Sequence, residues 1–250
     1  MTSNGRTGED AGGAKAAFGF REVAAAAKAP LVRGVFGSVA TRYDLMNDLM
    51  SGGLHRLWKA ALVDWLRPRP GWRHLDVAGG TGDVAFRVRA AIGERGRVSV
   101  CDSSPRMLAL GRDRAIDRGL LDRLDWVCGD AEALPFAGGS MDAFTIAFGL
   151  RNVTHLDLAL AEARRVLKPG GRFLCLEFSR VVLPLLGALY DRYSFTVIPW
   201  LGQVVAGDRA AYAYLVESIR RFPAQAELAE MIATAGLGQV EARNLTGGVV

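Results

Sequence analysis

The chain has 250 residues, half of them hydrophobic and 23% charged, enough for one sizeable α/β core and too short for two comfortable domains. Its net charge of +5 comes from basic residues interspersed with acidic ones along most of the chain, which argues against a nucleic-acid partner. Cys101, Cys128 and Cys175 form no CxxC pair and each lies in an apolar, strand-like run, so they read as small core side chains of a reducing compartment, not as a disulfide or metal framework.

Residues 1–20 are Gly-, Ala- and polar-rich and read as a disordered tail. They contain no apolar stretch of signal-peptide length and carry Glu9 and Asp10, which gives a cytoplasmic expectation. Residues 21–71 form an expected N-terminal helical cap, helical from Arg21 to Arg67, with Leu45, Leu49 and Met50 on one face and Leu57, Trp58, Ala61 and Leu62 continuing it. From Trp72 the pattern changes to short apolar runs alternating with helical segments. The strands are WRHLDVA, RVSVCD, RLDWVCGD, MDAFTIAFG and RFLCLEFS; the clearest helices are DVAFRVRAAIG, one opened by Ser104 and Pro105, and one from His155 to Leu167. This alternation predicts an α/β fold, a parallel sheet covered on both faces, over residues 72–180.

Residues 181–235 read as an apolar segment with helices, and 236–250 as the start of a C-terminal strand region that looks truncated. Within the former, Val181 to Ala206 is the most apolar stretch of the chain. Asp191, Arg192, Pro184 and Pro199 interrupt it, and its uncharged run falls short of the ~20 residues a bilayer helix needs. A core helix and an apolar lid over a lipid-like ligand fit it equally well.

In open parallel α/β sheets ligands sit at the carboxyl ends of the strands, so the residues ending each strand carry the functional signal. The first strand runs into Gly79, Gly80, Thr81 and Gly82, where backbone N–H groups can approach a ligand. The second ends in Asp102, at the spacing from the glycines expected of a carboxylate that takes two ribose hydroxyls. Gly80, Gly82 and Ala85 also satisfy a dinucleotide fingerprint, so the glycines alone leave a nicotinamide cofactor open. Asp76 inside the first strand, the Asp130–Ala131 pair ending the third, and AEALPFAGGSMDAFTIAFG favour a methyl donor instead. Asp130 could accept from an adenine amino group, or simply cap the next turn.

YDLMNDLMSGGLHRLW, from Tyr43 to Trp58, and RVLKPGGRFLCLEFS, from Arg165 to Ser179, resemble the two signatures of the ubiquinone/menaquinone biosynthesis C-methyltransferases, the UbiE family. LDVAGGTGD, AEALPF, FGLRNVT, YLVESIRRFP and NLTGGVV are similar as well, so the resemblance covers almost everything after residue 20. It implies a class I methyltransferase fold, Rossmann-like, with S-adenosyl-L-methionine as donor and no metal. The implied acceptor is the ring carbon of a polyprenylated quinol, 2-polyprenyl-6-methoxy-1,4-benzoquinol or demethylmenaquinol. Carried over by position, Thr81, Asp102, Asp130 and Ala131 contact the donor, with Gly80 of the glycine turn beside them. Arg151 and Asn152, just after the fourth strand, are the candidates for serving the acceptor, and the resemblance points to the same pair; Tyr43, whose hydroxyl could reach a quinol oxygen, is expected to close the pocket. His55 reads more readily as a packing residue in an amphipathic helix. Ala147 stands where many members have Ser. The remaining expectations are transient contact with a membrane surface, and association with other quinone-biosynthesis proteins or as a homodimer. The competing readings are a methyltransferase for another lipid or small molecule, a weakly active organising subunit, and a nicotinamide-dependent oxidoreductase.

Overall fold

The structure is a computed structural model that describes residues 14–40, 43–179 and 192–250; the side chains of Tyr43, Asp44 and Ala206 lie outside that description. Five parallel strands form the central sheet: β3 (Arg73–Val77), β4 (Arg97–Asp102), β5 (Leu124–Cys128), β6 (Met141–Ala147) and β7 (Leu167–Leu176). Their order is β5-β4-β3-β6-β7. The chain therefore winds outward from β3 in one direction, then restarts beside β3 in the other, which puts the switch in strand order at the ends of β3, β4 and β6. All five apolar runs of the sequence became strands; β7 starts earlier than expected because the Pro169-Gly170-Gly171 turn is absorbed as an irregularity in its pairing with β6.

Helices cover both faces. On one, α3 (Leu54–Leu66), α4 (Asp83–Ile92) and α5 (Pro105–Asp117) bury Leu62, Leu66, Val88, Ile92 and Leu108 against Val98, Val100 and Leu174. On the other, α6 (Leu156–Val166) places Ala159, Ala163 and Val166 against Leu75, Val77, Phe144 and Ile146. The starts of these helices follow from local chemistry. Ser104 Oγ accepts the Met107 N–H at the head of α5, with Pro105 at the first helical position.

The N-terminal region differs from expectation. A hairpin of β1 (Lys15–Phe18) and β2 (Arg21–Ala24) replaces the end of the expected tail and the start of the expected helix; residues 1–13 lie outside the description. A two-stranded hairpin is marginal alone, and this one is held by tertiary contacts: Phe18 stacks on Tyr214 at 4.3 Å, and the Phe20 N–H donates to Glu217 Oε2 at 2.9 Å. Helices α1 (Ala25–Val39) and α2 (Tyr43–Ser51) follow. On α2 it is Met46 that is buried, while Leu45 and Leu49 are exposed, a rotation of the face expected from the sequence. Cys128, expected in the core, is exposed at the end of β5; Cys101 is buried and Cys175 half-buried.

After residue 191 the chain winds as π-helix over Tyr193–Val197 and Gly202–Ala206, on either side of α7 (Ile198–Leu201). It continues into α8 (Arg209–Arg221), capped by the Asp208 carboxylate on the Ala211 N–H, and α9 (Gln225–Thr234). Ile198, Ala211, Tyr212 and Val216 pack with Val39 and Met46 into a cap cluster above the strand ends. The first part of the expected apolar lid, residues 181–191, lies outside the described residues. The last residues return to the core: Val249 and Val250 are buried, and the Ser179 N–H donates to the Val249 carbonyl at 3.0 Å.

Candidate functional site

The turn after β3 is built for close approach. Ala78, Gly80 and Gly82 all have positive φ, and a Cβ on Gly79 would lie 2.7 Å from Val100 Cγ1 and 2.8 Å from Asp76 Oδ2. The Gly80 N–H donates to Asp102 Oδ2 at 2.9 Å, and the Ser104 N–H to Asp102 Oδ1 at 2.8 Å. Burial pushes the Asp102 carboxyl up, and these two N–H groups pull it back. The carboxylate thereby ties the glycine turn to the head of α5.

Gly80, Thr81, Asp102, Asp130 and Ala131 line one cavity, together with Asp76, Lys59 and Ala147. Thr81 is buried and its hydroxyl accepts from the Arg114 guanidinium at 2.8 Å. Asp130 caps its own turn, accepting the Glu132 N–H at 3.0 Å. Ala29, Val32, Arg33 and Phe36 of α1 roof the cavity.

Two charged features beneath that cavity were not assigned roles from the sequence. Asp76 is buried, its Oδ1 accepts from the Thr145 hydroxyl at 2.7 Å, and Thr145 in turn meets His74 Nε2 at 3.0 Å. Asp76 Oδ2 is buried without a hydrogen-bond partner. Burial raises this carboxyl to about 7 and lowers His74 to about 3, so His74 is neutral and donates from Nε2. Lys59, from α3, reaches Asp83 at 2.8 Å. Its signal was a cation on the apolar face that carries Trp58 and Leu62.

A second cavity adjoins the first and shares Phe36, Lys59, Phe148 and Asn152 with it. Beyond β6, Phe148 adopts φ 58 and a short 3-10 turn, Leu150–Asn152, follows. That turn delivers Arg151 and Asn152 to the second cavity. Arg151 is buried: Nη1 donates to Glu177 Oε1 at 2.6 Å and to the Phe148 carbonyl at 2.5 Å, and its guanidinium lies over the Phe178 ring. This burial shows that Arg151 is not a solvent-facing residue of the turn. Asn152 Oδ1 accepts from the Tyr214 hydroxyl at 3.0 Å. Glu177 was missed, although a carboxylate inside the apolar run LCLEFS was its signal. Tyr43 opens α2, and Asn47, Met50 and Ser51 of that helix line the second cavity.

A switch-point crevice with an acidic strand end over a glycine turn, on a parallel sheet of this order, defines a Rossmann-like methyltransferase dependent on S-adenosylmethionine. The chain belongs to the ubiE/COQ5 methyltransferase family, whose model matches residues 23–250. The ubiquinone/menaquinone biosynthesis C-methyltransferase UbiE of Brucella abortus (strain S19) is 57% identical over 240 residues, 95% of this chain and 89% of that protein. Among solved structures, the protein complexed with the Haloferax volcanii Trm112 methyltransferase activator shares the fold, with TM-score 0.62, 22% identity, and coverage of 86% of this chain and 80% of that one. A Haemonchus contortus N-methyltransferase in complex with S-adenosylhomocysteine also does, with TM-score 0.54, 22% identity, and coverage of 75% and 38%.

Proposed function

We propose that the chain transfers a methyl group from S-adenosylmethionine in the first cavity to a ring carbon of a polyprenylated quinol in the second. The quinol is 2-polyprenyl-6-methoxy-1,4-benzoquinol or demethylmenaquinol. The observation that carries this reading is the junction: two cavities that share Phe36, Lys59, Phe148 and Asn152 can bring two different molecules together at one point.

The residues of the first cavity suit such a donor. Asp102 is positioned to accept from ribose hydroxyls, Gly80 offers close backbone approach, and Asp130 and Ala131 border a space for the adenine. Thr81 contributes through its backbone, since its hydroxyl is engaged by Arg114. The orphaned oxygen of Asp76 and the ammonium of Lys59 supply the two opposite charges that an amino-acid tail requires. The donor supplies an electrophilic methyl group; the protein's task is to hold the acceptor carbon ~3 to 3.5 Å behind it, in line. Arg151 cannot act as a base, because guanidinium keeps its proton in proteins. It stabilises negative charge developing on the quinol oxygen, and Glu177 and the Phe178 ring fix its position. Asn152 orients the ring from the junction, and Tyr43 serves the acceptor from the start of α2.

Exposed Leu45 and Leu49 on α2 lie on an element that packs against α7, where Trp200 is also exposed, and these apolar groups support contact with a membrane surface. No helix of the described residues is long and apolar enough to cross a membrane. Peripheral contact would leave the isoprenoid tail in the bilayer while the ring enters the second cavity.

Incubating the purified chain with methyl-labelled donor and each reduced quinol tests the reading. Label is expected on a ring carbon of at least one of them; failure with both headgroups, by protein that still binds S-adenosylhomocysteine, overturns it. Flotation with quinone-containing vesicles tests the surface contact, and absence of any lipid-dependent shift counts against it.

A further inference from the structure

We propose that His55 is the proton acceptor for the quinol hydroxyl, held for that task by Asp48. The inference rests on the reading of the second cavity as the acceptor's pocket. A quinol carbon becomes nucleophilic only as a ring hydroxyl gives up its proton, so the pocket needs a base. Among the described residues that line it, Arg151 and Lys59 are cations, and Asn47, Asn152 and Ser51 have no basic lone pair of useful strength. Tyr212 and Tyr214 are phenols, a class that holds its proton at neutral pH, and burial pushes Tyr214 up to about 12. His55 also lines this cavity.

The geometry fixes which nitrogen is free. His55 Nε2 lies 2.8 Å from Asp48 Oδ1, and an ionised carboxylate only accepts, so the ring proton sits on Nε2. The lone pair is then on Nδ1, which is shut off from solvent and has no hydrogen-bond partner. Asp48 is itself gripped by both arms of the Arg56 guanidinium, Nε to Oδ1 at 2.7 Å and Nη2 to Oδ2 at 2.6 Å. These bonds keep Asp48 ionised well below the usual carboxylate range. The arrangement is a base with its orienting acid: Asp48 sets the tautomer and stabilises the imidazolium that forms.

The charges around the ring agree with the role. Burial lowers His55, so the ring is neutral at neutral pH; Lys59 on the same helix lowers it further, while Asp48 from α2 and Asp83 from α4 raise it. Arg151 lines the same cavity from the turn after β6. Nδ1 has no free surface, so the side chains covering it must give way before it takes the proton of the quinol O–H bond. Its electron pair drives the ring carbon onto the methyl group, and the methyl–sulfur bond breaks with its pair going to sulfur. The ring C–H proton then leaves to water, and the imidazolium returns its proton to the oxygen, which restores the aromatic quinol and a neutral His55.

The test is His55→Gln and His55→Ala, with Asp48→Asn as a second site. Each is compared with wild type in single-turnover rate against pH, in KM for the reduced quinol and in affinity for S-adenosylhomocysteine. Wild type is expected to lose rate as pH falls through a pKa below the ordinary imidazole value of about 6.5. The His55 variants should lack this limb and react about 10²–10⁴-fold more slowly, with S-adenosylhomocysteine binding unchanged. Added imidazole should restore part of the His55→Ala rate, and Asp48→Asn should move the acidic limb to lower pH. The chain has three histidines, so ¹⁵N spectra of histidine-labelled protein should also show one neutral Nε2–H ring whose Nδ1 signal shifts when quinol is added to the complex with S-adenosylhomocysteine. A His55→Gln enzyme within threefold of wild type, or an unchanged acidic limb in both His55 variants, overturns the proposal. Should Ile198→Trp, which fills the second cavity, leave the quinol KM unchanged, the pocket reading fails instead.

Discussion

The Arg151 guanidinium lies 2.6 Å from the Glu177 carboxylate, with the two side chains only 3% and 4% exposed. Such a pair contributes little over an apolar replacement, yet removing one partner strands the other's charge in a dry site, at a cost of about 3–5 kcal/mol. Arg151→Met and Glu177→Met are each expected to lose that much in urea unfolding, and the double variant no more than either single one. Arg151→Met should abolish turnover while S-adenosylhomocysteine titration gives nearly the wild-type affinity. Simple addition of the two stability losses would contradict the coupling.

Asp102 accepts backbone N–H groups from Gly80 and Ser104. Losing charged acceptors of this kind costs about 1.5–3 kcal/mol per bond, in addition to any contact with the donor. Asp102→Ala should therefore weaken S-adenosylhomocysteine binding by at least about 100-fold in calorimetric titration. NADH, run alongside, should give no binding heat with either protein. Wild-type affinity in Asp102→Ala would remove this carboxylate from the donor site.

Asp76 is raised from 3.8 to about 7 by burial. The folded protein holds this proton more tightly than the unfolded chain, so the associated stability is greatest below pH 3.8 and fades as pH climbs through 7. Asp76→Asn keeps an acceptor for Thr145 and removes that loss. Its Tm should exceed wild type by more at pH 8 than at pH 5. A cation placed against Asp76 would also expel the proton, so donor binding near pH 6 should release it, seen as a buffer-dependent binding heat that Asp76→Asn lacks.

Gly149 follows Phe148, which borders both cavities, and itself lines the first. A Cβ there would lie 2.4 Å from the Cβ of Ala78, a residue already held at φ 50. Gly149→Ala should cost about 1–3 kcal/mol in thermal or urea unfolding. Ala78→Gly, which removes both the obstructing methyl and the backbone penalty, should recover most of the loss. Failure of that rescue would place the strain elsewhere.

Much of this fold is visible in the sequence because parallel strands buried on both faces leave continuous apolar runs, and Ser104-Pro105 announces a helix start without help from tertiary structure. The residues proposed for the donor were legible for a related reason: Gly80, Asp102 and Asp130 sit at or just beyond strand ends, positions that local pattern defines. The second cavity was harder. Arg151 and Glu177 are 26 residues apart, and only the β6–β7 pairing makes them neighbours. The β1–β2 hairpin has no turn signature strong enough to outweigh its Gly- and Ala-rich surroundings; it depends on Tyr214 and Glu217, near the other end of the chain. On α2, periodicity identified a helix but not its rotation, since Met46 and Leu45 differ little in hydrophobicity and α7 decides which one is covered.

One helix, α1, borders both chambers: Val32 and Arg33 face the first, Val35 and Val39 the second, and Phe36 belongs to both. A guest in either chamber therefore rests against the same fifteen-residue rod, so any displacement of that rod by one guest reshapes the wall the other meets. Whatever coupling passes through it acts on the two guests by the same factor in both directions.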